Sequence, residues 1–459
     1  MKVTIINSPL FRDKNLLYDE DSLPPIGLGY IATNLQNNGI NVKLIDAVYQ
    51  RIPLEEIISD LHRDQPDFVA LNIFTTNYDL VNELVESLYF KTHIILGGLS
   101  TKQLYGKIVY WNTCNPIDIV TGDGELITLD IVKNEVKDIP FIEFSNKRVF
   151  KVDSSSNYIV KDISNIPLNR SFFLNEPVQH PLGFWEANIV TSRGCVYNCT
   201  FCAAARSLNK DYPIREKSEC SIVDELSEIN FSYPGVTSIR VLDDLFLKNA
   251  DSVQKAVNVF APFRFQWRSM AHVMTFKDVD VALMNELKQS GCNELFIGIE
   301  SGSPKILSEI KKTKNIEAII QNLTKVFKAG INIKGYFIYG FPGETEYDME
   351  LTLKLANELK NISIYHGVNF RTSVFQYRPY HGTQIYHDLE QQGKNLSVLS
   401  VAPNEELSDL VGRLQFNFHS GNYSNVSNQA VHDYIYRTIN LNDGNIFGGL
   451  RTKNESLQV

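Results

Sequence analysis

The sequence is short of what a membrane or nucleic-acid protein needs. Apolar runs such as Phe68–Leu71 and Ile94–Leu96 stop far below the about 20 residues that cross a bilayer. Basic residues are in the minority, 44 Lys and Arg against 53 Asp and Glu for a net charge of −9. That balance gives phosphate backbones no electrostatic footprint, so neither nucleic acid nor membrane is expected as a partner. Met1 to Lys14 alternates like a strand and runs into Arg12, Asp13 and Lys14, with no signal-peptide core. Cysteine is sparse as well: six in 459 residues do not make a disulfide framework. A reducing cytoplasm is therefore the expected compartment. There is no internal repeat and no low-complexity segment. With 43% hydrophobic and 21% charged residues the composition is ordinary globular, and the length suits roughly two to four domains.

The first third alternates short continuous apolar runs with amphipathic stretches. The runs are Val3–Asn7, Val42–Ala47, Phe68–Phe74, Ile94–Leu96 and Ile117–Val120, and the helical patterns are Ile26–Gln36, Leu54–Leu61 and Leu80–Leu88. This pattern predicts an α/β domain over 1–137, a doubly wound, Rossmann-like parallel sheet covered on both faces. Gly97-Gly98 and Gly122-Asp123-Gly124-Glu125 each follow a strand, where such sheets bind ligands; glycine there is also ordinary turn chemistry. Residues 138–185 lose the regularity and read as a connecting segment. A second series has strands at Ala187–Thr191, Ser238–Leu242, Phe265–Ser269, Glu294–Ile299, Ile333–Ile338 and Asn369–Gln376. Its intervening helices include Ser221–Ile229, Ala282–Lys288, Ile316–Lys328 and Met349–Leu359. Six βα units over 186–385 predict a partial (β/α)6 TIM-type barrel with its site on the strands' C-terminal ends. Residues 386–459 are a C-terminal segment with no assigned role.

Cys195, Cys199 and Cys202 lie just beyond the first barrel strand in the spacing C-x3-C-x2-C. Three thiolates hold three irons of a cubane cluster and leave the fourth iron open to a small molecule. A closed zinc site needs a fourth ligand, and no second CxxC follows. A ferredoxin-type carrier also needs a fourth cysteine close by. Cys114 and Cys220 stand alone, and Cys292 reads as a buried small hydrophobe.

With an aromatic before its last cysteine, this motif resembles the signature of the radical S-adenosylmethionine (SAM) superfamily. The likeness continues through Thr191-Ser192-Arg193-Gly194-Cys195, Asp243-Asp244-Leu245-Phe246, Gly298-Ile299-Glu300-Ser301-Gly302 and Gly340-Phe341-Pro342-Gly343-Glu344-Thr345. Tyr377-Arg378-Pro379-Tyr380-His381-Gly382-Thr383 is similar to the sixth-strand segment of the branch with an N-terminal cobalamin-binding-type domain. Pro24-Pro25-Ile26-Gly27-Leu28 and the two glycine motifs resemble that domain's landmarks.

The resemblance implies a [4Fe-4S] cluster on Cys195, Cys199 and Cys202, with SAM on the open iron. A reduced electron donor such as flavodoxin or ferredoxin is then required. Phe201 against the adenine, Glu300 on the ribose, and Gly340 and Gly343 beside the adenosine are the expected SAM contacts. Gly97, Gly98, Gly122 and Gly124 are the candidates for cobalamin. Asp243, Asp244, Arg268 and His272 are weaker catalytic candidates, each with a structural reading as a cap, an ion pair or a core histidine. Two departures bear on cobalamin. The string Asp60-Leu61-His62-Arg63-Asp64-Gln65 lacks the glycine of a cobalt-ligating D-x-H-x-x-G loop and falls on a helix. Leu99-Ser100-Thr101 stands where the branch more often has a histidine. Three functions follow: a cobalamin-dependent C-methyltransferase acting on a small molecule, a cobalamin-independent radical dehydration, rearrangement, epimerisation or ring formation, and a non-catalytic electron carrier.

Overall fold

A computed structural model describes residues 1–9, 23–179, 183–396, 399–400, 418–419 and 421–442. The N-terminal sheet contains β1 (Lys2–Asn7), β2 (Asn41–Asp46), β3 (Phe68–Asn72), β4 (His93–Gly97), β5 (Ile117–Gly122), β6 (Phe141–Phe144) and β7 (Lys147–Val152). Its order is β2-β1-β3-β4-β5-β7-β6, and every pairing is parallel except β6 with β7. Two apolar layers cover its faces, one around Leu71, Leu84 and Leu96, the other around Ile5, Leu35 and Ile127. Strands buried on both faces need no polar alternation, which is why they read as continuous apolar runs.

The sheet does not stop at residue 137. The hairpin β6–β7 falls in the stretch read as a connection and completes the sheet against β5. All four residues of β6 are exposed, so this edge strand carries no core-facing signal.

The second sheet adds β8 (Val178–Gln179), β9 (Trp185–Ile189), β12 (Ser238–Val241), β13 (Gln266–Ala271), β14 (Cys292–Glu300), β15 (Asn332–Tyr339) and β16 (Phe370–Gln376). A two-stranded ribbon, β10 (Ser192–Arg193) and β11 (Arg215–Glu216), interrupts the numbering. The order β16-β15-β14-β13-β12-β9-β8 is parallel throughout apart from the short edge strand β8. The six parallel strands are those expected from the sequence, and together they form the partial barrel. Its main core lies between strands and outer helices, around Ile239, Leu295, Phe327 and Phe337. In the C-terminal segment the helix Asn428–Ile439 closes over β15 and β16, with Val431 and Ile435 in that core. Among the described residues no helix is long and apolar enough to cross a membrane.

Candidate functional site

The three cysteines sit on one loop whose two ends are pinned together. β10 and β11 pair antiparallel, with Ser192 opposite Glu216 and Arg193 opposite Arg215, so this ribbon is the neck of loop 194–214. Gly194 leaves the neck at φ 93°, a left-handed conformation that suits glycine. Inside the loop, Cys202 N donates to Cys199 O at 3.2 Å and Arg206 N to Tyr197 O at 2.8 Å. The cysteines are thus held in successive tight turns, and all three are free thiols. Burial pushes each thiol up, Cys202 to about 12, and the neighbouring Cys199 and Cys195 add to the shift at Cys202. Among the described residues no three His, Cys, Asp or Glu side chains already converge on one point, but three unbridged, shielded sulfurs on one loop fit the three-thiolate side of a cubane cluster.

Facing the cysteines is a buried lysine that sequence reasoning missed. Lys312 Nζ donates to Glu300 Oε1 at 2.9 Å and to Gly298 O at 2.6 Å. Burial opposes its charge, but Glu300 and the Cys199 thiol hold the ammonium above its ordinary value. Glu300 itself has φ 68°, at a register shift between β14 and β15 that follows Gly298. Such a bulge re-aims a side chain at a strand end. Here it brings Glu300 to Lys312 beside the cysteine loop. Nothing in the basic run Lys311-Lys312-Thr313-Lys314 distinguishes the one buried lysine from its solvated neighbours.

Phe201 packs edge-on against Phe341 at 5.7 Å between ring centres, which links the cysteine loop to the strand end after β15. There Gly340 and Gly343 have φ 89° and 74°. A Cβ on Gly343 would meet nothing within 4 Å, so that backbone is open to approach. Glu344 accepts from Gly340 N at 2.6 Å and Phe341 N at 3.0 Å, fixing the turn.

The four weaker candidates divide. Asp243 is buried and accepts from Thr191 N, Thr191 Oγ1 and Ser192 Oγ at 2.6–2.7 Å, so it fastens the first strand end. It also lines a cavity of about 340 Å³ inside the barrel, together with Arg240, Met270, Phe296 and Glu300. Asp244 accepts from Gly194 N at 3.2 Å, at the base of the cysteine loop. Arg268 lies deep in the barrel, bidentate to Glu186 at 2.6 Å and 3.4 Å from Glu294. Its position is that of a floor ion pair. His272 stacks on Tyr197 of the cysteine loop at 3.9 Å, and burial drives its imidazole down to about 3. It is a neutral packing surface for the loop.

Over the strand ends of the first sheet lies a second cavity of about 430 Å³, lined by Gly27, Gly97, Gly98, Gly122 and Gly124 among others. These glycines are not equivalent. At Gly97 and Gly27 a Cβ would meet nothing within 4 Å, so their bareness is open room. Gly98 has φ 105° and a Cβ there would meet the Ile73 backbone at 2.9 Å. Gly122, at φ 106°, would press on Val152 O, and Gly124 on Ile31. Gly98 and Gly122 are required by the local chain path, whereas Gly124 has an ordinary φ of −99° and would press only on the Cδ1 end of Ile31. Among the described residues lining this cavity there is no histidine. His62 is elsewhere, bonded to Ser87 O at 2.8 Å on the helix Leu54–Asp64. A mostly apolar recess with open backbone at Gly27 and Gly97 fits a corrin held by shape, without a protein ligand to cobalt. The two cavities share a wall residue, Leu23.

Comparison with known proteins matches this architecture. Residues 189–356 match the radical SAM superfamily and residues 18–132 the B12 binding domain. An uncharacterized methyltransferase of Pyrococcus horikoshii is 28% identical over 351 residues, covering 73% of each chain. Cytidylyl-2-hydroxyethylphosphonate methyltransferase of Streptomyces wedmorensis is 23% identical, over 80% of this chain and 78% of its own. The radical SAM methyltransferase TsrM from Kitasatospora setae, solved with cobalamin and a [4Fe-4S] cluster, shares the fold. It superposes with a TM-score of 0.66 at 15% identity, covering 98% of this chain and 93% of that one.

Proposed function

Because the chain belongs to the radical SAM superfamily and carries a B12-binding domain ahead of its barrel, we propose that it methylates carbon on a small molecule. When bound, the cluster and SAM supply one-electron cleavage to methionine and a 5′-deoxyadenosyl radical, while cobalamin supplies a methyl carrier. Cys195, Cys199 and Cys202 hold the cluster. Glu300 offers the ribose hydroxyls its remaining oxygen, its other one being held by Lys312. Gly343 leaves its backbone bare beside the adenosine, whereas Gly340 is packed against Gln376 and Val431 and serves the turn, and Phe201 supplies an apolar face. Asp243, Asp244 and His272 position the cysteine loop, and Arg268 braces the barrel floor. Gly97 leaves room for a corrin with its own base displaced. The substrate occupies the barrel cavity, and a flavodoxin- or ferredoxin-type donor delivers the electron. Free thiols and a cluster of this kind suit a cytoplasmic setting.

One observation carries the methylase reading: the glycine-walled recess and the barrel cavity meet at Leu23, so a corrin and a radical site are neighbours. Protein purified anaerobically from cobalamin-supplied cells should hold close to one cobalt per chain. With methyl-deuterated SAM, label should appear on the product carbon. Absence of cobalt, with SAM still cleaved, would reject methylation in favour of a cobalamin-independent radical reaction.

A further inference from the structure

Arg193 and Arg215 stand directly opposite each other across the neck of the cysteine loop. Like charges in that position destabilise an antiparallel pair. In this chain both are gathered by one carboxylate from the other domain. Asp123 pairs with Arg193 Nη1 at 3.3 Å and with both terminal nitrogens of Arg215, one of them at 3.1 Å. Arg193 also reaches Glu125 Oε1 at 2.5 Å, and Arg215 donates to Val160 O at 2.7 Å. Asp123 accepts from Val160 N at 3.0 Å, which ties the carboxylate to its own domain.

The rest of the loop leans the same way. Lys102 Nζ donates to Leu208 O at 3.0 Å and Asp211 Oδ2 at 2.9 Å, and Ser154 N donates to Asp211 O at 3.0 Å. The loop that carries the cysteines is therefore seated on the N-terminal domain as much as on the barrel. Asp123, Glu125 and Arg193 also line the glycine-walled recess, whereas Arg215 does not.

We propose that Asp123, Arg193 and Arg215 form a positioning clamp through which a corrin in the recess and the iron–sulfur cluster stabilise one another. The coupling is reciprocal by linkage: whatever holds the neck closed for the cluster also presents Arg193 and Asp123 to the recess. The inference rests on the cobalamin reading for its second half only. Closure of the neck by Asp123 is independent of any cofactor in the recess.

The test is the rate of iron loss from reconstituted full-length protein to a ferrous chelator, with and without saturating hydroxocobalamin. Arg215→Gln is the main variant because it leaves the recess wall intact, and Arg215→Lys keeps the charge. In the parent protein hydroxocobalamin should slow iron loss. In Arg215→Gln, iron loss without cobalamin should rise about tenfold, the scale of one charge-assisted hydrogen bond. Hydroxocobalamin should still bind this variant but no longer protect its cluster. Arg215→Lys should restore much of the protection, which a general loss of folding would not permit. Equal protection in Arg215→Gln and the parent would overturn the coupling. Unchanged iron loss in Arg215→Gln without cobalamin would overturn the clamp itself. If the parent binds no hydroxocobalamin, the methylase reading falls, while the cobalamin-free comparison still decides the clamp.

Discussion

The chain builds two recesses at the C-terminal ends of two parallel sheets, by opposite means. The N-terminal recess is walled mainly by apolar side chains such as Ile26, Leu28, Tyr30 and Phe74 and by glycines at the ends of β4 and β5, with no histidine among its described lining residues. The barrel's strand ends are made of side chains: three thiols, the Glu300–Lys312 pair and the Asp243 hub. A wide, preformed organic ligand can be held by shape and many weak contacts, so what it needs is room. An inorganic cluster has to be bonded, so it needs a few reactive groups at set places. The same topological position can thus serve two kinds of chemistry, depending on whether it is walled by apolar groups and backbone or by reactive side chains.

The sharpest way to break this comparison is at the cysteines. Replacing Cys195, Cys199 or Cys202 with Ala should remove or strongly destabilise the cluster and stop formation of 5′-deoxyadenosine, read by iron content and product chromatography. Cys114, Cys220 and Cys292 should each be replaceable with no loss of cluster iron. Full SAM cleavage by Cys199→Ala would sink the side-chain half of the contrast.

The backbone half is tested by adding bulk where the structure leaves space. Gly97→Val points into open room, so cobalamin uptake should be abolished while cluster iron and basal SAM cleavage persist. Gly98→Val is a different experiment: its φ of 105° and the Ile73 backbone at 2.9 Å make it a folding lesion, costing on the order of 1–3 kcal/mol. Normal cobalt content in Gly97→Val would show that the recess is not a corrin seat.

Sequence patterns made one kind of feature legible and left another hidden. Every parallel strand of the barrel was readable within a few residues, because buried strands between amphipathic helices leave both periods intact. The cysteine motif was readable because its ligands are neighbours in the chain. The neck clamp was not: Asp123 and Arg215 are 92 positions apart, and nothing local marks either as a partner. Arg268 and Asp243 drew attention as charged residues at strand ends, yet their carboxylate and hydroxyl partners turn them largely to structural use. The glycines were visible as a group, but which of them leave room and which relieve strain depends on the atoms opposite.

A milder effect is expected at Glu300. Glu300→Ala should weaken SAM binding by about ten- to hundredfold, the equivalent of about 1.5–3 kcal/mol for a hydrogen bond to a charged group. Cluster iron should be retained, since Glu300 is not a ligand. An unchanged SAM dissociation constant would reduce the glutamate to a partner for Lys312.

Two buried carboxylates, Asp118 in the N-terminal sheet and Glu344 in the barrel, give opposite pH responses. In the N-terminal sheet, burial alone would push Asp118 up, but His93 at 3.0 Å and Arg148 at 2.6 Å outweigh it and hold the carboxyl below its ordinary 3.8. A depressed folded-state pKa contributes stability that is present above 3.8 and lost as pH falls through the lower folded value. In the barrel, burial pushes Glu344 from its ordinary 4.5 up to about 8, despite the two backbone donors on one oxygen. Its other oxygen, Oε1, has no hydrogen-bond partner. A raised folded-state pKa works the other way: the contribution is complete below 4.5 and is lost as pH rises through about 8. The slope is at most on the order of 1 kcal/mol per pH unit. Hydrogen exchange across the pH range, corrected for intrinsic rates and read by peptide, separates the two domains. Asp118→Asn should flatten the acid limb in peptides of β4 and β5 only. Glu344→Gln keeps an acceptor for Gly340 and Phe341 while removing the buried charge, and it should flatten the alkaline limb in peptides of β15 only. An alkaline limb that survives Glu344→Gln would mean that this carboxylate is already accommodated as an anion, and the contrast between Asp118 and Glu344 would fall.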